Sequence, residues 1–158
     1  MDNFIVLGGK KYKLIPEEEQ PEKKTGYERV PEGRMYCRQW TDGICACVEQ
    51  HRDIDDDLYK AANYYNDTRL ATDNARADTL LRNLRRFSAE HGGIPTHGVF
   101  NKYHIIKDVN GIYTARYNGI ARAFGDVWFS SEEAANLAIN TFAEELRWYF
   151  FDYDPQLR

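Results

Sequence analysis

Apolar positions along this chain change period several times, and each change marks an element. Phe4 to Leu7 and Lys10 to Ile15 are short β-prone runs separated by Gly8 and Gly9, a pair that supplies the positive φ of a tight turn. The second run alternates Lys11 and Lys13 with Tyr12 and Leu14, and Pro16 ends it. Met35 to Gln50 reads as a second hairpin around Thr41, Asp42 and Gly43, with Ile44, Ala46 and Val48 alternating against Cys45, Cys47 and Glu49. Arg52 to Asp57 is expected to be an acidic loop, and Leu58 to Tyr65 a short extended segment.

The period then becomes helical. Leu70, Ala77, Leu81, Leu84 and Phe87 fall on one stripe, with Arg69, Arg76, Arg82 and Arg86 off it. Asn66 is the expected N-cap, with Tyr65 before it packing on Leu70, and Gly92, Gly93 and Pro95 stop the helix. After a loop from Ile94 to Phe100 the scheme recurs. Tyr103 to Val109 and Ile112 to Tyr117 flank Asn110-Gly111, a strong hairpin turn, and Ile120 to Phe129 supplies a third strand bent at Gly125. Ser130 to Glu133 has the form of a capping box, and Ala135, Ala138, Phe142, Leu146 and Tyr149 make the stripe of a second helix.

A hairpin, an extended segment, a cap and a helix thus occur twice. The pattern predicts an α+β protein with antiparallel sheets covered by two helices. Its expected divisions are residues 1–33, an N-terminal hairpin with a charged linker; 34–93, a first strand-hairpin-then-helix unit; and 94–158, a second.

Composition narrows the function. The 158 residues are 42% hydrophobic and 14% aromatic, enough for a packed interior. Eleven Tyr against two Met suit half-buried sheet faces, and also binding surfaces. A net charge of -4 argues against direct nucleic-acid binding, whose footprint is basic, and fits a basic protein partner. No apolar run approaches the roughly 18 residues of a membrane span, and the N-terminus lacks a signal-peptide pattern, so a cytoplasmic location is expected.

Candidate chemistry is sparse. Cys37, Cys45 and Cys47 with His51 offer zinc-type ligands, but their spacing matches no standard knuckle, and half-buried sheet cysteines are the commoner outcome. Nothing places His51, His91, His97 or His104 beside a cysteine as a nucleophile's base, so no enzyme activity, cofactor or metal is expected. Asp53, Asp55 and Asp57 echo a calcium loop without its central Gly and terminal Glu. Asp53, Asp55, Asp56 and Asp57, spread over an exposed loop, could instead engage a basic groove, although exposed charge runs are commonly just solvated. Arg82, Arg85 and Arg86 form a basic spot late in the first helix that complements the helix dipole or grips a phosphate. Trp148, Tyr149, Phe150, Phe151 and Tyr153 exceed one stripe, so some cover the sheet or a second protomer, or form an interaction patch. Trp148 and Phe151 are the candidate contacts there.

The blocks FIVLGGKKYKLIPEEE, DDDLYKAANYYND, NARADTLLRNLRRFSAEH and WFSSEEAANLAINTFAEELRWYF resemble a family of accessory proteins of phages and prophages of Firmicutes, especially gut clostridia. The resemblance covers most of the chain and is weakest from Ile94 to Phe124. It carries over no catalytic residue. What it implies is context: a host-directed inhibitor, anti-CRISPR-like, that blocks a defence effector by stoichiometric protein binding in the host cytoplasm. The rivals are a protein that sequesters a nucleotide second messenger through Arg and Tyr side chains, and a structural or regulatory phage component. A homo-oligomer fits any of the three.

Overall fold

A computed structural model describes residues 4–7, 10–13, 25–41, 43–93, 101–118 and 127–155. Three antiparallel hairpins each form a two-stranded sheet: β1 (Phe4–Leu7) with β2 (Lys10–Lys13), β3 (Met35–Trp40) with β4 (Gly43–Val48), and β5 (Asn101–Asp108) with β6 (Gly111–Asn118). The helices are α1 (Asp53–Lys60), α2 (Thr68–Glu90), α3 (Glu132–Thr141) and α4 (Ala143–Phe151). The fold is α+β, as the alternating periods predict.

The internal repeat extends to single hydrogen bonds. Trp40 pairs with Gly43 at one hairpin end, and Asp108 with Gly111 at the other. Each hairpin gains a bridge to a third segment through its third residue. Cys37 exchanges bonds of 2.7 and 2.9 Å with Tyr65, and Tyr103 exchanges bonds of 3.1 and 2.8 Å with Phe129. Two residues beyond each bridge lies the helix cap. Asp67 accepts from the Leu70 N–H at 2.7 Å, and Ser131 accepts from the Ala134 N–H at 3.1 Å. The caps are therefore Asp67 and Ser131, one residue later than the expected Asn66 and Ser130. The bridge holds the preceding residues extended, so the first side chain free to turn back onto the helix is the second one after it. Ser130 instead donates to the His91 carbonyl at 3.3 Å, and a Cβ on Gly92 would lie 2.7 Å from its Oγ.

α2 joins the two units. Its N-terminal half buries Leu70 and Ala71 with Tyr65, against Cys37 and Ile44 of the β3–β4 sheet. Its C-terminal half buries Leu80 and Leu84 with Phe129, Ala134, Ala135, Ala138 and Leu146 of the second unit. Leu80 takes the buried place that the sequence pattern gives to Leu81. The expected single second helix is broken at Phe142, whose φ of -111° and ψ of 27° leave the helical region. Thr141, just before the break, bonds back to the Leu137 carbonyl at 2.8 Å, an interaction that bends helices.

Two further expectations change. Arg52 to Asp57 is not a loop, and Leu58 to Tyr65 is not extended throughout, because α1 runs from Asp53 to Lys60. Aspartates favour a helix's positive N-terminal end, and the Asp55 carboxylate accepts the Arg52 N–H at 3.1 Å. The described part of the expected linker, residues 25–33, is packed onto the first unit. The Asn66 N–H donates to the Gly26 carbonyl at 2.9 Å, and Arg29 reaches two other elements. The loop from Ile94 to Phe100 and most of the expected strand from Ile120 to Phe129 lie outside the described residues.

Candidate functional site

Strand alternation gives the β3–β4 hairpin two faces, and each has its own chemistry. One face carries Tyr36, Arg38, Trp40, Cys45 and Cys47, and the other carries Cys37, Gln39, Ile44 and Ala46. Cys37 pairs with Ala46, so its thiol is turned away from those of Cys45 and Cys47. Among the described residues no three His, Cys, Asp or Glu side chains converge as metal ligands.

The first face meets α1 through a buried polar network. Glu49 is fully buried, and its carboxylate accepts two bonds from Arg29 at 3.1 and 3.0 Å, one from the Tyr64 hydroxyl at 2.7 Å and one from the His51 N–H at 2.8 Å. Asp55, 1% exposed, accepts from the Tyr36 hydroxyl at 2.7 Å and from the N–H groups of Gln50 and Arg52, both at 3.1 Å. The Tyr36 and Tyr64 rings stack with centroids 4.0 Å apart. Arg29 beside Glu49 holds that carboxyl down at about 2, and the Tyr36 hydroxyl lowers Asp55 as well. Burial and the bond to Glu49 push Tyr64 up to about 12. Both acids are thus held in the ionised form with their oxygens filled by donors, which makes the network a clamp.

The clamp redistributes the expected acidic patch. Asp55 is inside it, and Asp56 pairs with Arg29, while Asp53 and Asp57 face solvent. An exposed loop of four carboxylates is replaced by a helix with two outward ones.

The second face contributes to a cleft of about 630 Å³. Its walls are Gln39, Trp40, Thr41, Gly43 and Ile44 at the hairpin end, the α2 face from Thr72 to Asn83, and Phe142 with Glu145 at the start of α4. Residues of both units therefore line it. Arg76 crosses the cleft to Glu145 with bonds of 2.7 and 3.1 Å, and its guanidinium lies 4.1 Å over the Trp148 ring. Arg82 donates to the Thr79 hydroxyl at 3.1 Å. With its amide oxygen turned towards Arg82, Gln39 accepts from that guanidinium at 3.1 Å and donates to Asp78 at 3.2 Å.

Of the basic spot, only Arg82 lines the cleft. Arg85 is exposed outside its lining, and Arg86 lies 3.9 Å from Glu90. The C-terminal aromatics divide as well. Trp148 is half-buried under Arg76 and 5.3 Å from Tyr153, whereas Phe151 is 53% exposed with Lys107 over its ring at 4.6 Å. Sequence reasoning missed Trp40, Gln39, Arg76 and Glu145. The signal for Trp40 was available: an aromatic immediately before a hairpin turn is rarely needed for the core.

The class defined by these observations is a two-unit α+β protein with a mixed polar and apolar cleft between its units. No family model, no curated protein and no solved structure matches the chain. Among the described residues, no helix is long and apolar enough to cross a membrane.

Proposed function

We propose that the protein acts by stoichiometric capture of a component of host antiviral defence, in the host cytoplasm, and that the inter-unit cleft is its capture site. The observation that carries this reading is the cleft itself. It has the size of small-ligand sites, about 300–1,000 Å³, and four elements from two units line it. The phage-accessory resemblance supplies the defence context. The locked state of Glu49 and Asp55 supports binding over acid–base chemistry.

Capture of a protein effector is the second reading, favoured by Trp40 and Phe151, which are 55% and 53% exposed. A plating assay tests the cleft directly. A sensitive phage is titred on strains that each carry one defence system and express either the wild type or Thr79→Trp, which fills the cleft from an exposed helical position. The wild type should restore plating on at least one strain, and the variant should not, while keeping its helical signal. Restoration on none, or equal restoration by both proteins, would refute the reading.

A further inference from the structure

Among the described residues β4 pairs with β3 alone, and the alternation of its hydrogen bonds decides which groups stand on its outer edge. Cys37 turns its N–H and carbonyl away from β4 to Tyr65, so Ala46, its partner in the ladder, turns the same groups outward. The Glu49 N–H donates to the Arg34 carbonyl at 2.9 Å, which fixes the other half of the alternation: Cys45 and Cys47 point inward to β3. Ile44, Ala46 and Val48 therefore present their N–H groups and carbonyls at the free edge. Among the described residues those N–H groups have no partner, and the Ala46 carbonyl meets only the Cys45 thiol, a weak donor at 3.6 Å. Strand edges are normally blunted by charge or proline. β6 carries Arg116 on its corresponding edge, because Arg116 faces Tyr103 as Ala46 faces Cys37. β4 reads Gly-Ile-Cys-Ala-Cys-Val, with neither charge nor proline, and Ala46 and Val48 are exposed.

We infer that this edge takes β4 of a second copy of the chain, antiparallel, about a two-fold axis through Ala46. Ala46 then faces Ala46 of the second copy, and Ile44 faces Val48 in both directions. Each of these pairs exchanges two backbone bonds, so every outward N–H meets an outward carbonyl. The second copy is the occupant because the strand offers no charge for an oppositely charged partner, while apolar residues flank Ala46 on both sides and only a two-fold pairing uses both. Two chains of net charge -4 also meet there with no like charges opposed in the strand pair. The same register sets Cys45 opposite Cys47 of the second copy, twice, with Cα atoms roughly 4.5 Å apart and within reach of a disulfide. The inference is independent of the capture reading.

Sedimentation of the full chain in reductant tests the pairing. The wild type should have the mass of two chains and dissociate to one on dilution. Ala46→Lys, at an exposed position, sets two like charges face to face on the axis and should raise the dimer dissociation constant about tenfold or more, with an unchanged helical signal. Diamide, which takes two electrons and two protons for each bridge formed, gives a second reading in a Cys37→Ser background. There Cys45→Ser and Cys47→Ser should each fail to crosslink alone, whereas their mixture should crosslink through one Cys45–Cys47 bridge between copies. A single-chain mass at every concentration would overturn the inference and leave the edge to a strand of another protein. So would a dimer that Ala46→Lys leaves intact, or crosslinking of either cysteine variant alone as complete as that of the mixture.

Discussion

The two units share a scheme and differ in what it encloses. In each, a two-residue turn, a bridge from the hairpin's third residue and a cap two residues beyond the bridge recur at matching positions. The second unit buries Phe129, Leu146 and a run of alanines against Leu80 and Leu84. The first unit places Glu49, Asp55, Tyr36 and Tyr64 at the corresponding depth. Backbone pairing can therefore be conserved within one chain while the interior is held either by apolar contact or by saturated ionic hydrogen bonds. The difference has a local cause. α1 has no described counterpart in the second unit, and its first turn brings an aspartate under the sheet, where only donors can accept it.

The contrast predicts different responses to truncation. Phe129→Ala should cost about 3–5 kcal/mol, because it leaves a cavity in an apolar core. Arg29→Ala should also destabilise clearly, because it leaves Glu49 buried without its cation. Urea unfolding measures both, and losses under about 1 kcal/mol would mean that the unit concerned is held elsewhere.

Acid should separate the units further. The folded-state pKa of Glu49 is depressed from 4.5 to about 2, so its contribution to stability is fully present above its ordinary value and is lost as pH falls through that window. Asp55 is depressed too and adds in the same direction. Stability between pH 5 and pH 2, measured by urea titration, should fall less steeply in Glu49→Gln than in the wild type, whereas Phe129→Ala should keep the wild-type slope (pH limits chosen about the Asp and Glu range). Equal slopes for Glu49→Gln and the wild type would show that the clamp does not set acid sensitivity.

Smaller effects divide the acidic cluster. Asp55→Asn should cost about 1–3 kcal/mol, since an amide nitrogen must then face a donor, while Asp53→Asn with Asp57→Asn should stay within about 0.5 kcal/mol. Thermal melts distinguish these, and equal small effects would return Asp55 to the surface. The smallest effect concerns the caps. Asp67→Ala and Ser131→Ala should each cost about 1 kcal/mol, and Ser130→Ala distinctly less. The reverse order for the two serines would move the second cap.

Hairpins, the long first helix and the repeat were legible because they rest on local rules: Asn110-Gly111 forces its turn, and Leu70, Ala77 and Leu84 keep a helical period. The break at Phe142 was not, because the apolar stripe runs on through it. The Asp run misled for a physical reason. Its charge reads as solvated, yet charge at a helix start is stabilising and one member can be drawn inside by tyrosine hydroxyls. Arg82 and Trp148 were legible as candidates. Their separation, one lining the cleft and the other under Arg76, is a tertiary fact, as is the pairing of Arg76 with Glu145 across 69 positions.

The central claim, that one cleft shared by both units is the binding site, has a direct measurement. Amide shifts of the ¹⁵N-labelled protein are recorded with and without the small-molecule extract of a host strain on which it restores plating. The account predicts that the largest changes fall together on Gln39, Gly43 and Ile44, on Thr72 to Asn83 and beside Phe142 and Glu145. Changes confined to α1, or to Phe151 and its surroundings, would contradict it.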